Sequence, residues 1–163
     1  MNKRKEALDI VNKFLKELGY DEIKIKTSKH MESDMENEII YINLKEFYKP
    51  NKFDKEVHSF YSNYLKKRKV NEDISMATWA IIHELGHIIA SYTYKDLDKR
   101  LEEYEILCEA LRKKEFNSIN DLMQAYSNLS LEQDANKVSL EVYKKHKELI
   151  LNLDKDLKLL LNN

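Results

Sequence analysis

The stretch Trp79-Ala-Ile-Ile-His-Glu-Leu-Gly-His-Ile-Ile-Ala90 constrains this chain more than any other. It is an apolar run suited to a core helix, yet three ionisable side chains, His83, Glu84 and His87, interrupt it. A buried polar group left unpaired costs roughly 1–3 kcal/mol, so the fold has to give these three partners. Residues i and i+4 share a helix face, so His83 and His87 present their imidazoles side by side. Two imidazoles one turn apart can reach one zinc ion at about 2.0–2.1 Å each. Glu84 then sits where its carboxylate can take a proton from a zinc-activated water without ligating the ion. The competing reading is two core histidines hydrogen-bonded to neighbours, with Glu84 at the rim. The metal site is the expectation adopted.

Composition bounds the rest. The 163 residues are enough for a single domain, 1–163, whose core needs no metal or disulfide staple. With 28 basic and 29 acidic residues there is no global field drawing the chain to nucleic acid or membrane. Cys108 is the one cysteine, which excludes an internal disulfide and fits a reducing compartment. The segment Met1 to Ala7 lacks the apolar centre of a signal peptide, and the apolar stretches fall short of a membrane span. A soluble cytoplasmic protein is expected. Two glycines and one proline imply few tight turns and favour helices over a many-stranded sandwich.

Along the chain, Ala7, Ile10, Val11, Phe14, Leu15 and Leu18 have the spacing of an amphipathic helix over 3–18, ended by Gly19 in a left-handed conformation. Ile23 to Thr27 alternates as a half-buried strand, Ser28 to Asn37 reads as a polar loop, and Glu38 to Leu44 is a second, more apolar strand. Asn51 caps a helix over about 52–68 that ends in Lys66-Lys67-Arg68-Lys69, a solvated helix end rather than a nucleic-acid contact. Asn71 or Asp73 starts the motif helix, about 73–92; Gly86 within it costs about 1 kcal/mol relative to Ala, which points to a close backbone approach. Leu97, Leu101, Tyr104, Cys108 and Leu111 mark a further long helix, with Cys108 as a packing residue. Ser118 caps a short helix over 118–127. Ser130 and Gln133 form a capping box for a helical region from 131 to about 160 with a break near its middle. The resulting class is α+β, mostly helical, with a sheet of two or three strands.

A catalytic zinc ordinarily has three protein ligands and one open position. Glu132 is the leading candidate for the third, because Ala135, Asn136 and Ser139 beside it are small enough to let two helices approach. Asp134 in the same turn, and Glu105 and Glu109 on the preceding helix, compete with it. Asn136 is placed to hydrogen-bond a ligand. His146 lies about 21 Å along a straight helix from Glu132, too far to join it.

His83-Glu84-Leu85-Gly86-His87, followed by Glu132-Gln133-Asp134-Ala135-Asn136, resembles the gluzincin-like metallopeptidases, most closely the ImmA/IrrE group. The resemblance spans roughly residues 70–140. It implies a zincin-like fold, with the small sheet packed on the motif helix and a following Glu-bearing helix. By analogy His83, His87 and Glu132 are the ligands of one zinc ion and Glu84 is the general base. It also implies a peptide or protein substrate, a regulatory protein being the kind such enzymes cut.

The expected reaction is peptide-bond hydrolysis, with Tyr126, Tyr143 and His146 as candidate donors to the oxyanion. The edge of the sheet at Glu38 to Leu44 is a candidate platform for an extended substrate. Two rivals come from other classes. One is a zinc-binding regulatory protein that keeps the fold and cuts nothing, for which Glu84 would have no task. The other is a di-iron bundle, which needs a second Glu-x-x-His; Glu141 and His146 have the wrong spacing.

Overall fold

The computed structural model describes residues 3–70 and 74–162. Among them the order is α1 (Lys3–Leu18), β1 (Lys24–Thr27), β2 (Glu32–Asp34), β3 (Ile39–Ile42), α2 (Lys45–Tyr48), α3 (Lys52–Lys67), α4 (Met76–Ser91), α5 (Leu97–Arg112), α6 (Ile119–Ser127), α7 (Ser130–Lys145) and α8 (Lys147–Asn162). This is a mostly helical α+β arrangement with one mixed three-stranded sheet.

The expected stripe of α1 is buried at Ala7, Val11, Phe14 and Leu15. Gly19 ends the helix at φ +86°, a region in which a side chain would be strained. The sheet departs from expectation in two ways. Part of the segment read as a loop, 28–37, is strand β2, which pairs antiparallel with β3 and sets Ser33 opposite Ile40. Its polar sequence suits an edge, where one side of the strand meets solvent, and so it carries no apolar alternation. Consequently β3 is central, in the order β1-β3-β2, and is not the edge expected at Glu38 to Leu44. The reason is in its residues: Ile39, Ile40 and Ile42 are all buried, and a strand apolar on both faces needs cover on both. The short helix α2 also carried no sequence signal.

Asn51 caps α3 as expected, in a reciprocal box with Asp54. The proposed starts of the motif helix, Asn71 and Asp73, lie outside the described residues; α4 begins at Met76 and is capped by Ser75, whose hydroxyl accepts from the Thr78 N–H. That end of α4 is held from α8. Asp154 accepts from the Ser75 N–H at 2.7 Å and the Thr78 hydroxyl at 2.8 Å, and pairs with Lys158 at 2.7 Å.

The predicted stripe of α5 does not enter the core: Leu97, Leu101, Tyr104 and Leu111 are exposed and only Leu107 is buried. Cys108, next to the buried Leu107, is a free, half-buried cysteine. Ser118 caps α6 through the Asp121 N–H. The capping box at Ser130 is absent: the extended cap residue is Leu129, Ser130 is already helical, and its N–H donates to Glu103 at 2.9 Å. The break in the last helical region falls at His146, between α7 and α8. Among the described residues, no helix is long and apolar enough to cross a membrane.

Candidate metal centre

The site forms where α4 and α7 meet, and Gly86 decides how closely. A Cβ at this position would lie 2.5 Å from the Ala135 carbonyl oxygen and would overlap the Ser139 hydroxyl. The Ser139 hydroxyl is within hydrogen-bond distance of the carbonyls of Ala135 and, across the interface, Ile82 (3.0 Å). The small residues Gly86, Ala135 and Ser139 thus let the backbones meet, as the sequence indicated.

At that crossing Glu132, in the first turn of α7, reaches both histidines of α4. His83 Nε2 lies 3.0 Å from Glu132 Oε2, and His87 Nε2 lies 3.2 Å from Oε1. One potential ligand atom from each of the three residues lies within 4.8 Å of the others, and all three residues are buried. Ligands about 2.0–2.2 Å from a tetrahedral ion stand roughly 3.3–3.6 Å apart, so the observed spacing is close to what such an ion would require. The His83, His87 and Glu132 group could hold a metal ion.

Within the triad the carboxylate and the imidazole of His83 stabilise each other's charged forms. Burial by itself would raise the Glu132 carboxyl, but the hydrogen-bonding imidazoles of His83 and His87 hold it well below the usual carboxylate range. Burial likewise disfavours charge on His83, and Glu132 beside it outweighs that and raises its pKa. Asn136, one turn beyond Glu132, also favours the charged form of His83. Even so, His83 Nδ1 and Asn136 Oδ1 are both buried without a hydrogen-bond partner of good geometry.

Glu84 is 8% exposed and, with His83, lines a cleft of about 360 Å³. The other sequence candidates lie elsewhere. Asp134 pairs with Arg100; Glu109 pairs with Lys113 on the exposed face of α5, where Glu105 also sits. Tyr126 lines the cleft, whereas Tyr143 is in the hydrophobic core and His146 is the C-cap of α7.

One residue at the site was missed. Tyr61, on α3, has its ring centroid 5.8 Å from that of His83 and lines the same cleft. Burial, and after it the negative charge of Glu132 and Glu84, pushes its hydroxyl well above the ordinary range. Tyr126 is raised likewise, by burial first and Glu132 next. The sequence placed Tyr61 on the apolar face of α3, but periodicity does not say what that face meets. A larger groove of about 980 Å³ runs between α3, α6 and α7; exposed polar side chains, among them Lys67 and Arg68, line it, but neither His83 nor Glu84 does.

Comparison with known proteins gives no family: no family model, no curated protein and no solved structure matches this chain.

Proposed function

We propose that the chain is a zinc-dependent peptidase of zincin type, akin in its motifs to the ImmA/IrrE group. His83, His87 and Glu132 hold one zinc ion, and Glu84 is the general base. The observation that carries this reading is the convergence of Glu132 on two histidines 49 and 45 residues away, at a cleft that Glu84 lines. Two imidazoles and one carboxylate are the donor set of a catalytic zinc, with the fourth position left to water and substrate. The ion, when bound, supplies a water acidified to a pKa of about 7 and a Lewis acid for the scissile carbonyl.

The remaining tasks belong to the chain. Glu84 takes the proton of the attacking water and passes it to the leaving nitrogen. Tyr61 and Tyr126, kept protonated by their surroundings, donate to the oxygen on which negative charge builds. His83 Nδ1 and Asn136 Oδ1 are both buried without a hydrogen-bond partner of good geometry, and an Nδ1–H donated to an acceptor such as this amide oxygen would fix the imidazole tautomer that leaves Nε2 for the ion. The edge strand β2, packed beside α4, offers its backbone to an extended substrate, in place of β3. The substrate is a peptide or protein, and the sequence resemblance suggests a regulatory protein.

The test has two stages. Zinc per chain is measured for the wild type and Glu132→Ala; one zinc in the former and loss in the latter is expected. Equal retention removes Glu132 from the site. Glu84→Gln is expected to keep zinc and lose about 10²–10⁴-fold in kcat/KM on a peptide substrate. Equal turnover by that variant refutes the mechanism.

A further inference from the structure

The cleft beside the triad is unlike the rest of the surface. Charged residues make up 35% of the chain, yet no lysine or arginine among the described residues lines this cleft. Its walls are Phe53, Val57 and Tyr61 from α3, Trp79 from α4, and Leu122 and Tyr126 from α6. Tyr104 and Leu111, two exposed apolar residues of α5, extend the wall. At about 360 Å³ the cleft falls within the roughly 300–1,000 Å³ of small-molecule sites, and apolar lining with a few polar groups is their usual composition.

Charged occupants fit badly. Beside the imidazoles of His30, His58 and His83, the lining holds two carboxylates, Glu46 and Glu84, which repel an acidic side chain, and burial disfavours a compensating charge on His58. A basic side chain would gain from them but would lose its hydration against aromatic walls, a cost that rises steeply for an unpaired ammonium. Glu46 already registers that environment: burial raises its pKa, against the lowering effect of the Asn43 hydrogen bond. A large apolar side chain has no charge to desolvate on entry and gains by removing its apolar surface from water.

We propose that this cleft is a specificity pocket that takes a large apolar side chain, aromatic or long aliphatic, from a substrate residue beside the scissile bond. This rests on the peptidase reading, because Glu84 and His83 form part of the pocket wall and so place its occupant next to the bond being cut. The exposed apolar face of α5 then has a use, as the outer lip of the pocket.

Trp79 is the only tryptophan of the chain and is buried in this wall, so its emission reports occupancy. The wild type is titrated with N-acetyl-phenylalanine amide, N-acetyl-lysine amide and N-acetyl-aspartate amide. A saturable change with the phenylalanine derivative is expected, at a concentration at least tenfold lower than for the other two. Val57→Phe, which fills the pocket from a half-buried position, is expected to raise that half-saturation at least fivefold, with circular dichroism confirming an unchanged fold. Equal half-saturation for the three compounds, or no saturable change, overturns the proposal. Cleavage of a mixed peptide library reads the same pocket independently. Glu84-dependent cleavage enriched for Phe, Tyr, Leu or Met at one position flanking the bond supports it, and cleavage without enrichment overturns it. Selective binding without any Glu84-dependent cleavage counts against the peptidase reading alone.

Discussion

Two helices of equal length show how differently this chain uses an apolar stripe. Of the 16 residues of α4, twelve are buried, including all three ionisable residues of the motif. In α5, also 16 residues, one is buried, although Leu97, Leu101, Tyr104 and Leu111 repeat at helical spacing. The cover for α4 comes from within the chain: α7 through Gly86 and Ser139, α8 through Asp154, and the sheet. The apolar face of α5 is covered far less: Tyr104 meets the Tyr126 ring of α6, the leucines beside it stay exposed, and part of the face forms the wall of the cleft. Helical periodicity marks a face with a use; it does not say whether the partner is the core or a ligand.

This contrast can be broken most easily at its buried end. Ile82 is fully buried beside the motif, and Ile82→Ala is expected to cost about 2–5 kcal/mol in denaturant unfolding. A loss below 1 kcal/mol would mean that α4 is not the packed scaffold described. Gly86→Ala is expected to cost less, about 1–3 kcal/mol, since overpacking against the Ala135 backbone outweighs the gain of about 1 kcal/mol in helix propensity. Because the clash pushes α7 away, the same variant should retain less zinc; undiminished stability and retention would show that the helices are not in close contact.

Acid should sharpen the contrast from the other side. Burial of Asp154 raises its pKa, but hydrogen bonds from Lys158, Ser75 and Thr78 outweigh this and leave it lowered. A folded-state pKa depressed below the unfolded value of about 3.9 contributes stability that is complete above that value and is lost as pH falls through the folded pKa. The stability difference between wild type and Asp154→Asn should therefore shrink as pH is lowered below about 4. A difference independent of pH would remove Asp154 as the clamp on the start of α4. The smallest effect belongs to α5: Leu101→Ala, at an exposed position, is expected to change stability by less than about 0.5 kcal/mol. A cost near that of Ile82→Ala would place α5 in the core after all.

Much of the site could be read before the fold was known. His83, Glu84 and His87 share one helical turn, so their relation is local, and Gly86 signalled the close approach that Ala135 and Ser139 complete. The helix limits at Gly19, Asn51 and Ser118 were also legible, because caps are local chemistry. Ser130 misled for the same reason: the pattern of a capping box was present, but the chain enters the helix one residue earlier, at Leu129.

The sequence by itself determined which stretch of which helix presents two imidazoles and a carboxylate, since a periodicity of 3.6 residues needs nothing beyond the helix. Only the tertiary structure decided that Glu132 faces them while Asp134, two residues on, turns to Arg100. It also decided that β3 is central rather than an edge, and that Tyr61 stands at the site rather than in the core. Each of these depends on which distant surfaces meet, and that is set by the joint burial of many apolar faces, a sum that no single stretch of sequence contains.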